Sequence, residues 1–218
     1  MRPFRVYLTA LVCATILVAG LEVAPHLAPR EEPGLPRLPV LLADIRPVPQ
    51  RARVLGYERT EFGAGWATVG ACTVREHILI TQLADTAADT AGGGCTVTTG
   101  RGRDPYTGEE IVLGPAATAV EIDHILPLSA AWDLGAHAWD PATRLAFAND
   151  PLNLLVTTRE ANRDKSDYLP AAWLPPDPAA RCWYARRLAL VAQRYALPLP
   201  REDLSAMRAA CRLSGLLR

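Results

Sequence analysis

The chain has no excess of positive charge, because 23 lysines and arginines balance 23 aspartates and glutamates over its 218 residues. This balance excludes the global basic field by which many proteins attract nucleic acid, so any such contact must use a local patch. Lysine is almost absent: Lys165 is the only one, and the remaining cations are arginines. Together with abundant alanine, this preference for arginine indicates a GC-rich genome and is not by itself a sign of function. Half of the residues are hydrophobic, which is ample for the core of one catalytic domain.

Closely spaced cysteine pairs are also missing. No C-x2-C spacing occurs, which argues against a zinc site made of thiolates. Four cysteines follow the N-terminal segment, and an even number in an exported chain favours disulfides. Chain order favours Cys72 with Cys95 and Cys182 with Cys211. Three pairings remain open, and a four-thiolate zinc site is the competing interpretation.

The N-terminus is typical of export. Arg2 and Arg5 precede an apolar run over residues 6–21, the layout of a secretory signal. An uncleaved membrane anchor is the alternative, although the run is slightly short for a span. We therefore expect a secreted or extracytoplasmic protein with a signal peptide or anchor at residues 1–24. Seven prolines between Pro25 and Pro49 predict an extended linker over residues 25–53.

The remainder, residues 54–218, is expected to form one catalytic domain of the α+β class. Hydrophobic periodicity and turn residues predict its elements. They are a helix over 72–85, short strands between 92 and 114, a strand over 119–125, a short helix after Pro127, a strand over 152–157, a helix from Arg159, and helices over 178–195 and 201–213.

Three side chains in one window point to phosphodiester hydrolysis, which needs an activated water and neutralisation of phosphate charge. His124 suits the role of general base, since an imidazole titrates close to neutral pH. Asp123 and Asn162 offer a carboxylate and an amide oxygen, the hard ligands that Mg²⁺ prefers. Because Asp123 and His124 are neighbours on one strand, a twist or bulge is needed for both to serve one site.

The window resembles the HNH, or ββα-metal, endonuclease motif in order and spacing. Further segments are similar to an exported bacterial group of HNH proteins, DUF1524-like, known chiefly as uncharacterised proteins, and the resemblance covers about residues 55–212. The segments that carry it are Tyr57-Glu58-Arg59, Gly65-Trp66, Cys72-Thr73-Val74-Arg75-Glu76, Asp104-Pro105-Tyr106-Thr107-Gly108, Asp123-His124-Ile125-Leu126-Pro127-Leu128-Ser129-Ala130-Ala131-Trp132, Phe147-Ala148-Asn149-Asp150, Asn153-Leu154-Leu155 and Asn162-Arg163-Asp164-Lys165-Ser166.

The resemblance implies a ββα core surrounded by helices, with His124 as base and Asp123 and Asn162 as metal ligands. It further implies that Asn153 braces the loop holding the base and that Arg163 and Lys165 lie near substrate phosphates. The last position of the triplet is Asn162 rather than histidine, which favours magnesium over a histidine-rich site, with Mn²⁺ and Zn²⁺ as alternatives.

The expected function is metal-dependent cleavage of nucleic acid, DNA with little sequence specificity. A catalytically weak module that binds nucleic acid or the cell envelope is the rival interpretation, favoured by the lack of net positive charge. A glycosidase pair of Glu121 and Asp123 is disfavoured, because alternate residues on one strand face lie too close for an inverting water. No protein partner can be inferred from the sequence.

Overall fold

The computed structural model describes residues 30–90, 94–114 and 119–216, together with residues 11, 12 and 15. The predicted signal peptide or anchor at residues 1–24 otherwise lies outside the described residues. Within the part of the chain that the structure describes, no helix is long and apolar enough to cross a membrane.

Helices and short strands alternate along the chain, so the fold is mixed α/β. The elements are α1 (Leu38–Leu42), β1 (Pro47–Val48), a 3-10 turn (Arg59–Phe62), β2 (Thr68–Val69), β3 (Cys72–Thr73), α2 (Val74–Gln82), β4 (Ala84–Asp89), β5 (Thr96–Arg103), β6 (Glu110–Leu113), β7 (Val120–His124), α3 (Leu128–Leu134), a 3-10 turn (Ala136–Ala138), α4 (Pro141–Ala148), a 3-10 turn (Pro151–Asn153), β8 (Leu154–Thr158), α5 (Arg159–Lys165), α6 (Pro178–Arg194), β9 (Leu199–Pro200) and α7 (Arg201–Leu216).

Strands β7 and β8 form an antiparallel pair that leads into helix α5. His124 pairs with Leu154 at one end, and Val120 pairs with Thr158 at the other. The Thr158 hydroxyl accepts a hydrogen bond from the amide of Ala161, which caps the helix where the strand ends. The strand–strand–helix order predicted for this window is therefore present, and it carries the predicted functional residues.

Two other sheets and a pair of short strands surround this unit. Strands β4, β5 and β6 form an antiparallel sheet, β2 pairs with β3, and β1 runs parallel to β9. Helix α2 covers the edge of β8, because the Gln82 amide donates to the Leu154 carbonyl and accepts from the Val156 amide, at 3.0 and 2.9 Å. Strand β8, the partner of the strand that carries Asp123 and His124, is thus hydrogen-bonded on both edges.

The core consists of two apolar clusters separated by the β7–β8 pair. The smaller lies between α2 and the strands and includes Ile78, Leu79 and Ile122. The larger is built on α6, with Tyr184 and Leu188 at its centre. The functional window is thereby held between two packed layers, which favours a rigid site.

Part of the predicted linker is folded. Leu38 and Leu41 on α1 are 4% and 1% exposed, and both belong to the larger cluster. The structure differs from the predicted extended segment because leucines recur at helical spacing among the prolines, while Pro39 lies in the first turn of α1, where a missing N–H costs nothing.

The predicted disulfides are confirmed. Cys72 is bonded to Cys95, and Cys182 is bonded to Cys211. The first ties the start of α2 to β5, and the second joins α6 to α7. With loops of 23 and 29 residues, each bond stabilises the fold by about 3–4 kcal/mol on chain-entropy grounds.

Candidate functional site

His124 ends strand β7 with its imidazole inside the protein. The residue is 5% exposed, and its Nε2 lies 2.8 Å from the carbonyl oxygen of Ala148. Because a carbonyl only accepts, Nε2 carries the proton of the neutral ring and Nδ1 keeps its lone pair. Burial lowers the pKa of His124 to about 3. The ring is therefore neutral at physiological pH, but it is a weaker base than the near-neutral imidazole expected from the sequence. The Trp66 indole lies parallel to it, with ring centroids 5.9 Å apart. The ring therefore presents one proton acceptor in a fixed orientation.

Asp123 is held by an ion pair inside the protein. The Lys165 ammonium lies 2.9 Å from its Oδ2 and 3.1 Å from its Oδ1, and it also donates to the backbone carbonyl of His124. The Tyr106 hydroxyl donates to Oδ2 at 2.6 Å. Burial raises the pKa of the Asp123 carboxyl, and the lysine and the tyrosine hydroxyl oppose that shift. One side chain of α5 thus fixes both the Asp123 carboxylate and the backbone of His124.

Asn153 joins the loop after β7 to the 3-10 turn before β8. Its side-chain oxygen accepts from the Leu126 amide at 2.8 Å, and its amide nitrogen donates to the Leu126 carbonyl at 3.2 Å. Its own backbone carbonyl accepts from the Ile125 amide. Asn153 is fully buried, so this loop and the preceding His124 are fixed by a residue that does not reach solvent.

Asn162 lies on α5, opposite Glu121, the second acidic residue of β7 besides Asp123. Its side-chain nitrogen donates to Glu121 at 2.8 Å, and the second oxygen of Glu121 accepts from Arg159 at 2.9 Å. The amide oxygen of Asn162 accepts no hydrogen bond from any residue that the structure describes. It is therefore available to a ligand.

A cavity of about 590 Å³ brings most of the predicted site residues together. Asp123, His124, Asn162 and Arg163 all line it. Asn153 and Lys165 do not, since both are fully buried behind it. The predicted contact between Lys165 and substrate phosphate needs correction, because the ammonium is bonded to Asp123 and to the backbone carbonyl of His124.

The donor set fits a hard divalent cation better than a soft one. The Asn162 amide oxygen is open, and Asp123, whose carboxylate is bonded to Lys165 and Tyr106, lines the same cavity, so two oxygen-bearing side chains border one space. Oxygen ligands with positions left for water and substrate suit Mg²⁺ or Mn²⁺. Across residues 30–90, 94–114 and 119–216, no group of three or more His, Cys, Asp or Glu side chains is placed to hold a metal. A zinc site rich in histidine or cysteine is thus not found there.

A comparison with protein families gives a match for residues 73–197 with the family "GmrSD restriction endonucleases, C-terminal domain". The chain belongs to this family. The matched segment exceeds half of the chain and contains β7, β8 and α5 with all the site residues described above. The family is a nuclease-type one, which agrees in general class with the predicted HNH resemblance.

The chain is also similar to a curated protein from Arthroderma benhamiae described as an uncharacterized secreted protein. The two are 33% identical over 204 residues, which cover 92% of this chain and 95% of the relative. The similarity therefore extends beyond the family segment to both of its flanks. No solved structure matches the chain.

The sequence did not predict the roles of two supporting residues, although both lie in Asp104-Pro105-Tyr106-Thr107-Gly108, one of the segments that carry the HNH resemblance. Asp104 is 1% exposed and accepts from the Thr157 hydroxyl and the Thr158 amide, each at 2.7 Å. It therefore holds the end of β8 where α5 begins. Tyr106, two residues further on, reaches Asp123. An acidic residue and a tyrosine close together in one short segment are the sequence feature that could have indicated a supporting role.

Replacing Asn153 with alanine is expected to slow catalysis without weakening substrate binding. The change leaves the N–H and C=O of Leu126 unsatisfied in the interior, which costs about 2–4 kcal/mol of stability. It also frees the loop after His124, so kcat should fall while KM stays near its original value. Kinetics at a temperature where both proteins are folded measure this. A folded variant with unchanged kcat would show that the loop holds its shape without Asn153.

Proposed function

We propose that this protein is an exported, metal-dependent endonuclease that hydrolyses phosphodiester bonds, principally of DNA and with little sequence specificity. The supporting observation is the cavity in which the neutral His124 meets two oxygen donors, Asp123 and Asn162. Membership of a restriction endonuclease family supports the nuclease class. The two disulfides and the secreted relative support export.

In this proposal, His124 takes the proton of the attacking water on Nδ1. Its ring is already neutral and already oriented by the Ala148 carbonyl, so no reorganisation precedes the transfer. Asp123 and Asn162 would hold a divalent cation, Mg²⁺ first and Mn²⁺ or Zn²⁺ as alternatives. Such an ion supplies charge stabilisation for the phosphate in the transition state. Arg163, exposed at the rim, would contact a neighbouring phosphate.

The rival functions receive less support. A binding module that has lost catalysis would not need a neutral, oriented imidazole in one cavity with the Asp123 carboxylate and the open amide oxygen of Asn162. A glycosidase needs two carboxyl groups free to act on the sugar. Here Glu121 is bonded to Arg159 and Asn162, while Asp123 is bonded to Lys165 and Tyr106. Neither carboxylate is free in that sense.

Activity is expected to depend on a divalent metal. The oxidised protein should nick supercoiled plasmid DNA in Mg²⁺ or Mn²⁺ and should do nothing in EDTA. Asn162→Ala should raise the metal concentration for half-maximal activity by at least about 10-fold, the lower end of what losing an outer partner of a metal ligand costs. Asn162→Asp, which keeps an oxygen donor, is the matched control.

Two outcomes would refute the proposal. One is a folded, oxidised protein that cuts neither DNA nor RNA with any of these metals, which would favour the binding module. The other is cleavage that continues in EDTA.

A further inference from the structure

Three arginines around the site are not neutralised by the protein. Arg53, Arg59 and Arg163 are exposed, and none of them makes a hydrogen bond or an ion pair with a residue that the structure describes. Other arginines nearby are paired, such as Arg144 with Glu61. Arg163 was expected near phosphate from the sequence. Arg59 lies in a segment that carries the HNH resemblance, but neither Arg53 nor Arg59 was assigned a role in binding.

Arg59 flanks His124. It lines the site cavity and also a smaller cavity of about 100 Å³, which His124 and Trp66 line as well. Arg163 lines the same site cavity from α5, so two exposed cations border the space around the base.

Arg53 extends this positive surface away from the site. It lines an adjoining cavity of about 520 Å³ that shares Tyr57, Ser129 and Asp167 with the site cavity. The two cavities therefore form one continuous groove. Asp167 does not compete for substrate charge in that groove, because its carboxylate is paired with Arg51 at 2.8 Å.

The segment that carries Arg53 and Arg59 is anchored at both ends. Arg51 binds Asp133 at 2.6 Å, and Asp133 also accepts from the Val54 amide at 2.8 Å. At the other end, the Tyr57 ring packs edge-on against Trp132, with centroids 6.2 Å apart. Arg53 and Arg59 thus project from a segment whose backbone is already ordered, so little ordering is left to oppose binding.

We propose that residues 51–59 form a phosphate-binding arm in which Arg59 contacts the nucleic-acid backbone beside the cleavage site and Arg53 contacts it further along the groove. This inference rests on the proposed function and extends it, because it assigns the path of the substrate. Guanidinium groups bind phosphate in a planar, two-pronged geometry that suits sequence-independent contacts. Since phosphates carry no sequence information, the arm fits an enzyme with little specificity.

Salt-dependent binding tests the arm independently of cleavage. Binding of a labelled DNA duplex is measured in EDTA by fluorescence anisotropy between about 50 and 200 mM salt, the range over which phosphate contacts dominate affinity. The full-length double variant Arg53→Ala/Arg59→Ala should bind about tenfold or more weakly at low salt. The slope of log K against log salt should lose about 1.8 in magnitude, since each lost phosphate contact removes about 0.9.

Two companion variants make the result specific. Arg208→Ala is the matched control, because Arg208 is exposed, unpaired within the described residues, and lines a different cavity with Leu42 and Cys182. It should leave the slope unchanged. The double variant Arg53→Lys/Arg59→Lys keeps both charges. Its salt slope should therefore be close to that of the wild type. KM for plasmid cleavage should rise in the alanine variant with little change in kcat.

The inference and the proposed function can fail separately. If the wild-type protein cuts DNA while the double alanine variant keeps its salt slope and KM, the arm is refuted and the nuclease stands. An equal loss of slope in Arg208→Ala would also refute the arm, since the contact would then not be local. If the wild type neither binds nor cuts nucleic acid, both fail.

Discussion

Replacing His124 with alanine is expected to lower kcat for DNA cleavage by about 10²–10⁴-fold, the usual contribution of a positioned general base. No other histidine lines the site cavity, so no neighbouring imidazole among the described residues can substitute for it. KM should change little, since the ring is 5% exposed and gives substrate a small contact surface. Plasmid nicking under saturating Mg²⁺ or Mn²⁺ measures the loss.

Two further variants separate chemistry from folding. His124→Gln keeps a side-chain donor that can reach the Ala148 carbonyl, yet it has no basic nitrogen. It should be as inactive as the alanine variant while remaining more stable. His77→Ala removes a histidine on α2 whose ring contacts the Val69 carbonyl instead, and it should retain full activity. Rapid cleavage by folded His124→Ala would place the base elsewhere.

The parts of the site that were predictable are encoded within a few consecutive residues. Thr158 follows β-branched residues and precedes a polar segment, a pattern that predicts a capped helix, and its hydroxyl does accept from Ala161. The spacing from Asp123 to Asn162 places them on a strand and a helix that pack together. Local sequence was sufficient to predict these three elements, because the residues of β7, β8 and α5 each favour the structure that they adopt.

The direction of side chains on α5 was not predictable in the same way. Lys165 and Arg163 are two positions apart on a polar helix, and nothing local says which of them faces the strands. Packing decides it: Ala161 and Lys165, one turn apart, are buried, whereas Arg163 is exposed. The partner that makes burial of the ammonium tolerable is Asp123, 42 residues away in sequence.

The predicted linker at the N-terminal side of the domain was partly wrong, again because contacts between distant parts of the chain decide the local structure. Seven prolines indicated an extended linker, yet proline is compatible with a helix in its first turn, and Pro39 lies there. The leucines of α1 then pack against α6, which begins 136 residues after α1 ends. The amino-acid composition of a segment does not predict such a contact, because the contact depends on an apolar surface of α6 that forms only when the chain folds.

Replacing Lys165 with methionine is expected to be among the most destabilising single changes in the protein. It would leave the Asp123 carboxylate buried with the Tyr106 hydroxyl but without its counter-charge, which typically costs about 3–5 kcal/mol. Urea unfolding of the oxidised protein measures the loss. The double variant Lys165→Met/Asp123→Asn removes both charges and should recover much of the stability, so the two changes should be strongly non-additive.

The same variants distinguish a buried ion pair from a surface contact with substrate. If Lys165 bound phosphate, Lys165→Met would keep the stability of the wild type, and the salt slope of DNA binding would lose about 0.9 in magnitude. The structure predicts the reverse, because the ammonium is fully buried and bonded to Asp123 and the His124 carbonyl. An unchanged salt slope with a large loss of stability would therefore assign Lys165 to positioning the two residues of β7 on which catalysis is proposed to depend.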